Sequence, residues 1–169
     1  MLSQLQAQAA RIAADQGSAT SRSRARSRAT QAAGRERLGA MDGAPLTQTF
    51  FVPGPLPGMN EILKAAKGFR GRGIGYSRLK AQWDKIVSAY AKAAKLTPAI
   101  GPVTIDFYWI EPNARRDRDN VAAAKKFAID GLVTAGVLPG DGPKVVVGFS
   151  DKFGCDKARP GVWVTLTSA

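Results

Sequence analysis

The run Val103–Gly136, VTIDFYWIEPNARRDRDNVAAAKKFAIDGLVTAG, decides how the rest of the chain is read. Its first eight residues, Val103–Ile110, alternate, with Val103, Ile105, Phe107 and Trp109 on one side, as a half-buried strand requires. Glu111–Arg118 is polar and breaks the strand. Asp119 or Asn120 then suits a helix N-cap, and a helix is expected from about Val121 to Ala135, stopped by Gly136. A strand, a charged break and a helix in this order put the body of the chain in the α/β class.

Working outward, Leu138–Lys144 reads as a Pro/Gly loop, and Val145–Ser150 and Val162–Thr167 as strands. Upstream, Thr47–Pro53 (TQTFFVP) is a β-rich run ended by Pro, Gly54–Gly58 a Pro/Gly loop and Met59–Lys67 a short helix. Gly68–Gly75 (GFRGRGIG) is a basic loop. Its GRGIGY portion has neither GxGxxG spacing nor a Walker lysine, so it is no nucleotide-binding signature. Tyr76–Lys95 is the clearest helix, with Leu79, Trp83, Ile86, Val87, Tyr90 and Ala94 on one face. The expectation is an α/β (α+β) domain over residues 46–169, a small mixed sheet of about four strands packed with two main helices.

Residues 1–45 differ: they are rich in Ala, Gln, Ser and Arg, hold SRSRARSR at Ser21–Arg28, and carry +4 of the chain's +12 net charge. Leu2, Leu5, Ala9 and Ile12 suit one stripe of a short helix, but too few large apolar residues follow for a packed core, so disorder is expected. Three readings stand: a solvated basic arm, an upstream extension preceding a start at Met41, and an organelle transit peptide. No stretch approaches the about 18 apolar residues of a membrane span, and no secretory signal is present.

The 169 residues contain no histidine and one cysteine, Cys155. Histidine triads, HExxH zinc sites, disulfides within the chain and CxxC redox pairs are therefore excluded, and chemistry falls to carboxylates, Lys, Arg, hydroxyls or an oxygen-ligated metal. A charge of +12 points to a polyanionic partner, nucleic acid first.

Arg115-Arg116-Asp117-Arg118-Asp119-Asn120 is the most informative segment. If it is extended, Asp117 and Asp119 point the same way and suit one hard cation such as Mg²⁺, while Arg115, Arg116 and Arg118 face away to neutralise the acids or grip phosphates. A solvated charge cluster capping a helix explains the same residues. Lys126, seven residues after Asp119, returns to nearly the same helix face and suits a charge near a scissile phosphate; the alternative is an i,i+4 pair with Asp130. Asp141 can fold back beside the helix if the next strand runs alongside Val103–Ile110; otherwise it is a turn aspartate. Three convergent carboxylates would bind a metal that lowers the pKa of its water and offsets phosphate charge.

Together these residues resemble the RusA-type Holliday junction resolvases, crossover junction endodeoxyribonucleases of bacteria and phages. The resemblance covers about residues 48–167 and rests on Pro57-Gly58-Met59-Asn60 (P-x-x-N), Arg116-Asp117-Arg118-Asp119-Asn120 (R-D-x-D-N), Lys126, the helix end Asp130–Val137 and Asp141. It implies that Asp117, Asp119 and Asp141 coordinate Mg²⁺, that Lys126 assists catalysis, and that a homodimer nicks two opposed strands of a four-way junction. Lys126 is preferred over Lys125 because it lies four before Asp130, and the two adjacent acids frequent in the family are here Gly140-Asp141. Arg70, Arg72, Arg78, Lys80, Arg115 and Arg116 are the expected phosphate contacts, reading shape rather than bases. The expected location is the cytoplasm of a bacterium, with the chain bacterial or phage-encoded. The alternatives are a non-catalytic branched-DNA-binding protein with a decayed site, and an RNA- or protein-binding module.

Overall fold

A computed structural model of the chain describes residues 46–67 and 74–169, together with residues 7–8 of the leader. The expected leader disorder and the basic loop with Arg70 and Arg72 lie outside the described residues.

The alternation in the central run becomes strand β2, Val103–Glu111, whose Val103, Ile105, Phe107, Trp109 and Glu111 are buried. Around it the elements follow as β1 (Thr47–Pro53), α1 (Met59–Lys67), α2 (Ile74–Ala93), β2, α3 (Arg118–Ala122), α4 (Lys125–Ala135), β3 (Val146–Cys155) and β4 (Gly161–Ser168). The fold is mixed α and β with a four-stranded sheet, in the order β1-β4-β2-β3. β4 pairs antiparallel with both neighbours, placing Val164 opposite Phe50 and Phe107. β3 runs parallel to β2, with Phe107 opposite Asp151. Parallel neighbours need a crossover, and α3 and α4 lie on it.

Side chains at two-residue spacing leave the same face of the sheet, so Phe50, Val52, Ile105, Phe107, Trp109, Val162, Val164 and Leu166 form one apolar layer. Trp83, Ile86 and Val87 of α2 and Phe127, Ala128 and Leu132 of α4 join the same core. The two helices approach closely because Gly131 of α4 lies against Val87, where any Cβ would collide with the valine side chain. Among the described residues no helix is long and apolar enough to cross a membrane.

Four elements differ from expectation. The long helix α2 runs over Ile74–Ala93 rather than Tyr76–Lys95, and Ala94, expected on its core face, lies past its end and is exposed. The helix after the charged break begins at Arg118, with extended Asp117 (φ −64°, ψ 148°) at its N-cap and no side-chain capping bond, rather than at Asp119 or Asn120. Asn120 is drawn elsewhere: its Oδ1 accepts the Asn60 N–H at 3.0 Å, so it caps the start of α1 instead. The expected single helix is divided at Ala123 and Ala124, where Ala124 N–H bonds to Val121 O (3.1 Å) and Phe127 N–H to Ala124 O (3.0 Å) in a tighter i→i+3 pattern. β3 runs on past Ser150 to Cys155, because Asp151 is satisfied by Trp109 Nε1 (2.8 Å) and Lys125 Nζ (2.5 Å) and Phe153 continues the alternation.

Candidate functional site

The segments Pro57–Asn60 and Arg116–Asn120 are far apart in sequence and packed together in space. The Arg116 guanidinium donates through Nη1 to both oxygens of Glu111, at 3.2 and 3.1 Å, and through Nη2 to Leu56 O at 3.1 Å. Its Nη2 also lies 3.8 Å from Glu61 Oε2, which accepts the Gly58 N–H at 3.0 Å. Gly58 permits this approach: a Cβ there would collide with the Arg116 guanidinium and stand 2.7 Å from Asn120 O. Burial pushes the Glu111 carboxyl above the ordinary glutamate range, and Arg116 pulls it partly back.

This clamp presents Asp117 and Asp119 at the surface. Only Asp117 is extended, whereas Asp119 lies in the first turn of α3, so they are not strand neighbours two apart. Both are exposed, and neither carboxylate takes an ion pair or side-chain hydrogen bond from another described residue.

Asp141 comes back to the helix, as the parallel pairing of β2 and β3 allows, and meets Lys126. The Lys126 ammonium lies 3.0 Å from Asp141 Oδ2 and 2.9 Å from Asp130 Oδ1. The i,i+4 pair and the contact to the loop acid therefore coexist. Asp130 is buried and also faces Lys80 Nζ at 3.0 Å, and Lys80 is bonded to Asp84 at 2.7 Å. Bonds to Asp130 first, then Asp141, push the Lys126 pKa up, and Lys126 in turn holds Asp141 below the ordinary carboxylate range. Asp84 likewise raises Lys80, against the effect of its burial. Lys125, one residue away, turns to β3, bonding Asp151 and standing 4.4 Å from the Phe149 ring centroid.

Among the described residues no three carboxylates gather closely enough to hold a metal ion, and Asp141 is engaged by Lys126. The donor chemistry nevertheless fits a hard cation: Asp117 and Asp119 are open oxygen donors, and Mg²⁺ takes only one or two protein carboxylates. Of the expected phosphate contacts, Arg78 and Arg115 are exposed, whereas Lys80 and Arg116 have intramolecular carboxylate partners.

The sequence reading missed Glu111 as the Arg116 anchor, Asp151 as the Lys125 anchor, and Lys80 as the second partner of Asp130. Only the i,i+4 spacing of Lys80 and Asp84 was available in the sequence as a signal. No protein-family model matches the chain, and no curated protein matches it.

Proposed function

We propose that this chain is a Mg²⁺-dependent, structure-selective endodeoxyribonuclease of RusA type that resolves four-way junction DNA by paired symmetrical nicks. The observation that supports the reading most is the junction of Pro57–Asn60 with Arg116–Asn120, through the Asn60–Asn120 bond and the close approach of Gly58 to Arg116 and Asn120, because two motif pieces of the resemblance pack together. Asp117 and Asp119, the two open carboxylates, are the residues that would hold the cation, whereas Asp141 is paired with Lys126. When bound, the cation would supply an acidified water and offset charge on the scissile phosphate.

The chain's own residues divide the remaining work. Arg116 holds the two motif segments in register and is a positioning residue. Lys126, kept protonated by two carboxylates, serves as a fixed positive charge toward a phosphate and not as a base. Arg78, Arg115 and, from the sequence, Arg70 and Arg72 contact backbone phosphates, and Lys80 serves the internal charge network instead. A homodimer suits the two-fold symmetry of a four-way junction. The site of action is the bacterial cytoplasm, where recombining DNA is found.

A labelled four-way junction incubated with and without Mg²⁺ tests the reading: opposed nicks at symmetrical positions are expected only with the ion. Asp117→Asn should retain junction binding and lose cleavage, and normal cutting by that variant overturns the assignment. The second reading, a non-catalytic branched-DNA-binding protein, draws on the Lys126–Asp141 pair, which already neutralises the third acid. It predicts junction binding with no Mg²⁺-dependent nicking.

A further inference from the structure

We propose that the face of the sheet turned away from α2 and α4 binds single-stranded DNA, with unpaired bases stacking on Tyr108 and Trp163 and the strand's phosphates meeting Lys152 and Arg159. The choice of DNA rests on the preceding reading. The surface itself uses none of the residues that reading assigns.

The strand register puts four side chains in one row across the sheet. Phe51 of β1 lies opposite Trp163 of β4, Trp163 opposite Tyr108 of β2, and Tyr108 opposite Lys152 of β3. The first three sit between members of the buried layer (Phe50 and Val52, Val162 and Val164, Phe107 and Trp109), and Lys152 precedes the partly buried Phe153. Strand alternation therefore sends all four to the opposite face. Neighbouring strands lie about 4.8 Å apart, so three rings in a row span about 10 Å. Phe51 and Trp163 are in contact, with ring centroids 5.0 Å apart. Glycines beside the row let two rings lean across the sheet: a Cβ at Gly161 would strike the Phe51 ring, and one at Gly154 the Tyr108 ring. Tyr108 is 44% exposed. A concavity of about 410 Å³ opens beside it, its lining including Asp106, Tyr108, Lys152, Trp163 and Thr165.

Charge decides the occupant. Lys152 and Arg159 are exposed, and neither has a carboxylate partner among the described residues. The Arg159 guanidinium stands 4.8 Å from the Phe51 ring centroid and 5.7 Å from that of Trp163, so it covers one end of the row. No cation stands over Tyr108 among the described residues. Asp106, which shares the concavity, accepts the Ser150 hydroxyl. Its carboxylate disfavours a phosphate at that point and suits the amine of a base. Open rings beside unpaired cations match a ligand with flat apolar faces and a negative backbone. An unpaired strand offers both, whereas a duplex keeps its bases stacked inside. The basic residues 1–45 and a second copy of this surface would each bring further positive charge to Lys152 and Arg159.

The test titrates the full-length protein, in EDTA, into a fluorescein-labelled oligothymidylate of about twelve nucleotides, with a duplex and an oligouridylate of equal length as the other arms. Anisotropy reports binding. Trp83 and Trp109 are each 1% exposed, so quenching of indole fluorescence by the strand reports on Trp163. Tyr108→Ala is expected to weaken strand binding by about tenfold and Tyr108→Phe to retain it, with duplex affinity changed by less than about twofold. Lys152→Gln, an exposed substitution that keeps the test open if Tyr108→Ala does not fold, is expected to lower the salt slope of strand binding by about 0.7. Strand affinity unchanged in folded Tyr108→Ala, an equal loss for the duplex, an unchanged slope in Lys152→Gln, or binding of the RNA alone overturns the proposal. A dimer that Tyr108→Ala dissociates, with strand binding intact, gives the face to a second copy and overturns it likewise. Nicking of a four-way junction in Mg²⁺ is expected to persist in Tyr108→Ala, so the strand surface and the nuclease reading fail separately.

Discussion

Arg116 satisfies Glu111, Leu56 O and Glu61 at once, and its planar guanidinium is the side chain able to do so. Arg116→Met leaves the Glu111 carboxylate buried without its cation, and the cost depends on pH. Glu111 has a folded-state pKa above its ordinary value, so its contribution favours the fold at low pH and is lost as pH rises through that folded value. Removing Arg116 raises the folded value further. The variant's stability deficit should therefore be largest near neutrality and shrink as the pH falls and Glu111 takes up its proton, as urea midpoints of both proteins across acidic pH will show. Gly58→Ala should cost about 1–3 kcal/mol in the same assay, since the added methyl drives apart the Arg116 guanidinium and the Asn120 backbone. At Lys126 the expectation is kinetic. Lys126→Met should lower cleavage by about 10²–10³-fold and Lys126→Arg by less, with no lysine ionisation limb in the pH–rate profile of the native protein at neutral to mildly alkaline pH.

Among the elements, the α3–α4 division distributes the chemistry. α3 presents Asp119 at its first turn, and Arg118 leans over the Phe153 ring of β3 at 5.7 Å. α4 sends Lys125 toward the sheet and Lys126 toward α2 and the Asp141 loop, as adjacent positions about 100° apart on a helix must. Asp130 and Gly131 of α4 make the contact with α2, one by charge and the other by lack of a side chain. Asp130→Ala leaves two partly exposed ammonium groups without this acceptor and should destabilise the fold by about 1–3 kcal/mol in urea unfolding. Gly136, in the left-handed region at φ 78°, ends α4, so its identity was readable as a helix stop from the sequence. The caps at the start of α3 were not, because Asn120 spends its side chain on a helix about sixty residues upstream, and local spacing carries no trace of that partner.

For the whole molecule, the net charge of +12 favours the long-range approach of a polyanion. Junction affinity should fall steeply with salt, and the structure separates the cations that contribute. Arg115→Ala is expected to lower the slope of log K against log salt concentration by about 1. Lys80→Ala is expected to leave that slope unchanged and to cost up to about 1 kcal/mol of stability, because its ammonium is committed to Asp84 and Asp130. Binding isotherms at several salt concentrations check the first, and denaturant unfolding checks the second.

Periodicity and punctuation within a short window were enough to read the strand from Val103, the paired helix and strand at Thr47–Lys67, the α2 core face from Leu79 to Tyr90 and the stop at Gly136, since each depends on residues within a few turns or pleats of one another. The charged break, Lys126 and Asp141 were also picked out there as the residues of chemical interest. Their pairing was not. Whether Lys126 binds Asp130 or Asp141, whether Arg116 is free for phosphate, and which acid faces Lys125 all depend on how α4 crosses α2 and on the register of β3 beside β2. Charge pairs form between whichever groups the packed backbone brings within a few ångströms, and that distance is set by the core, not by neighbours along the chain.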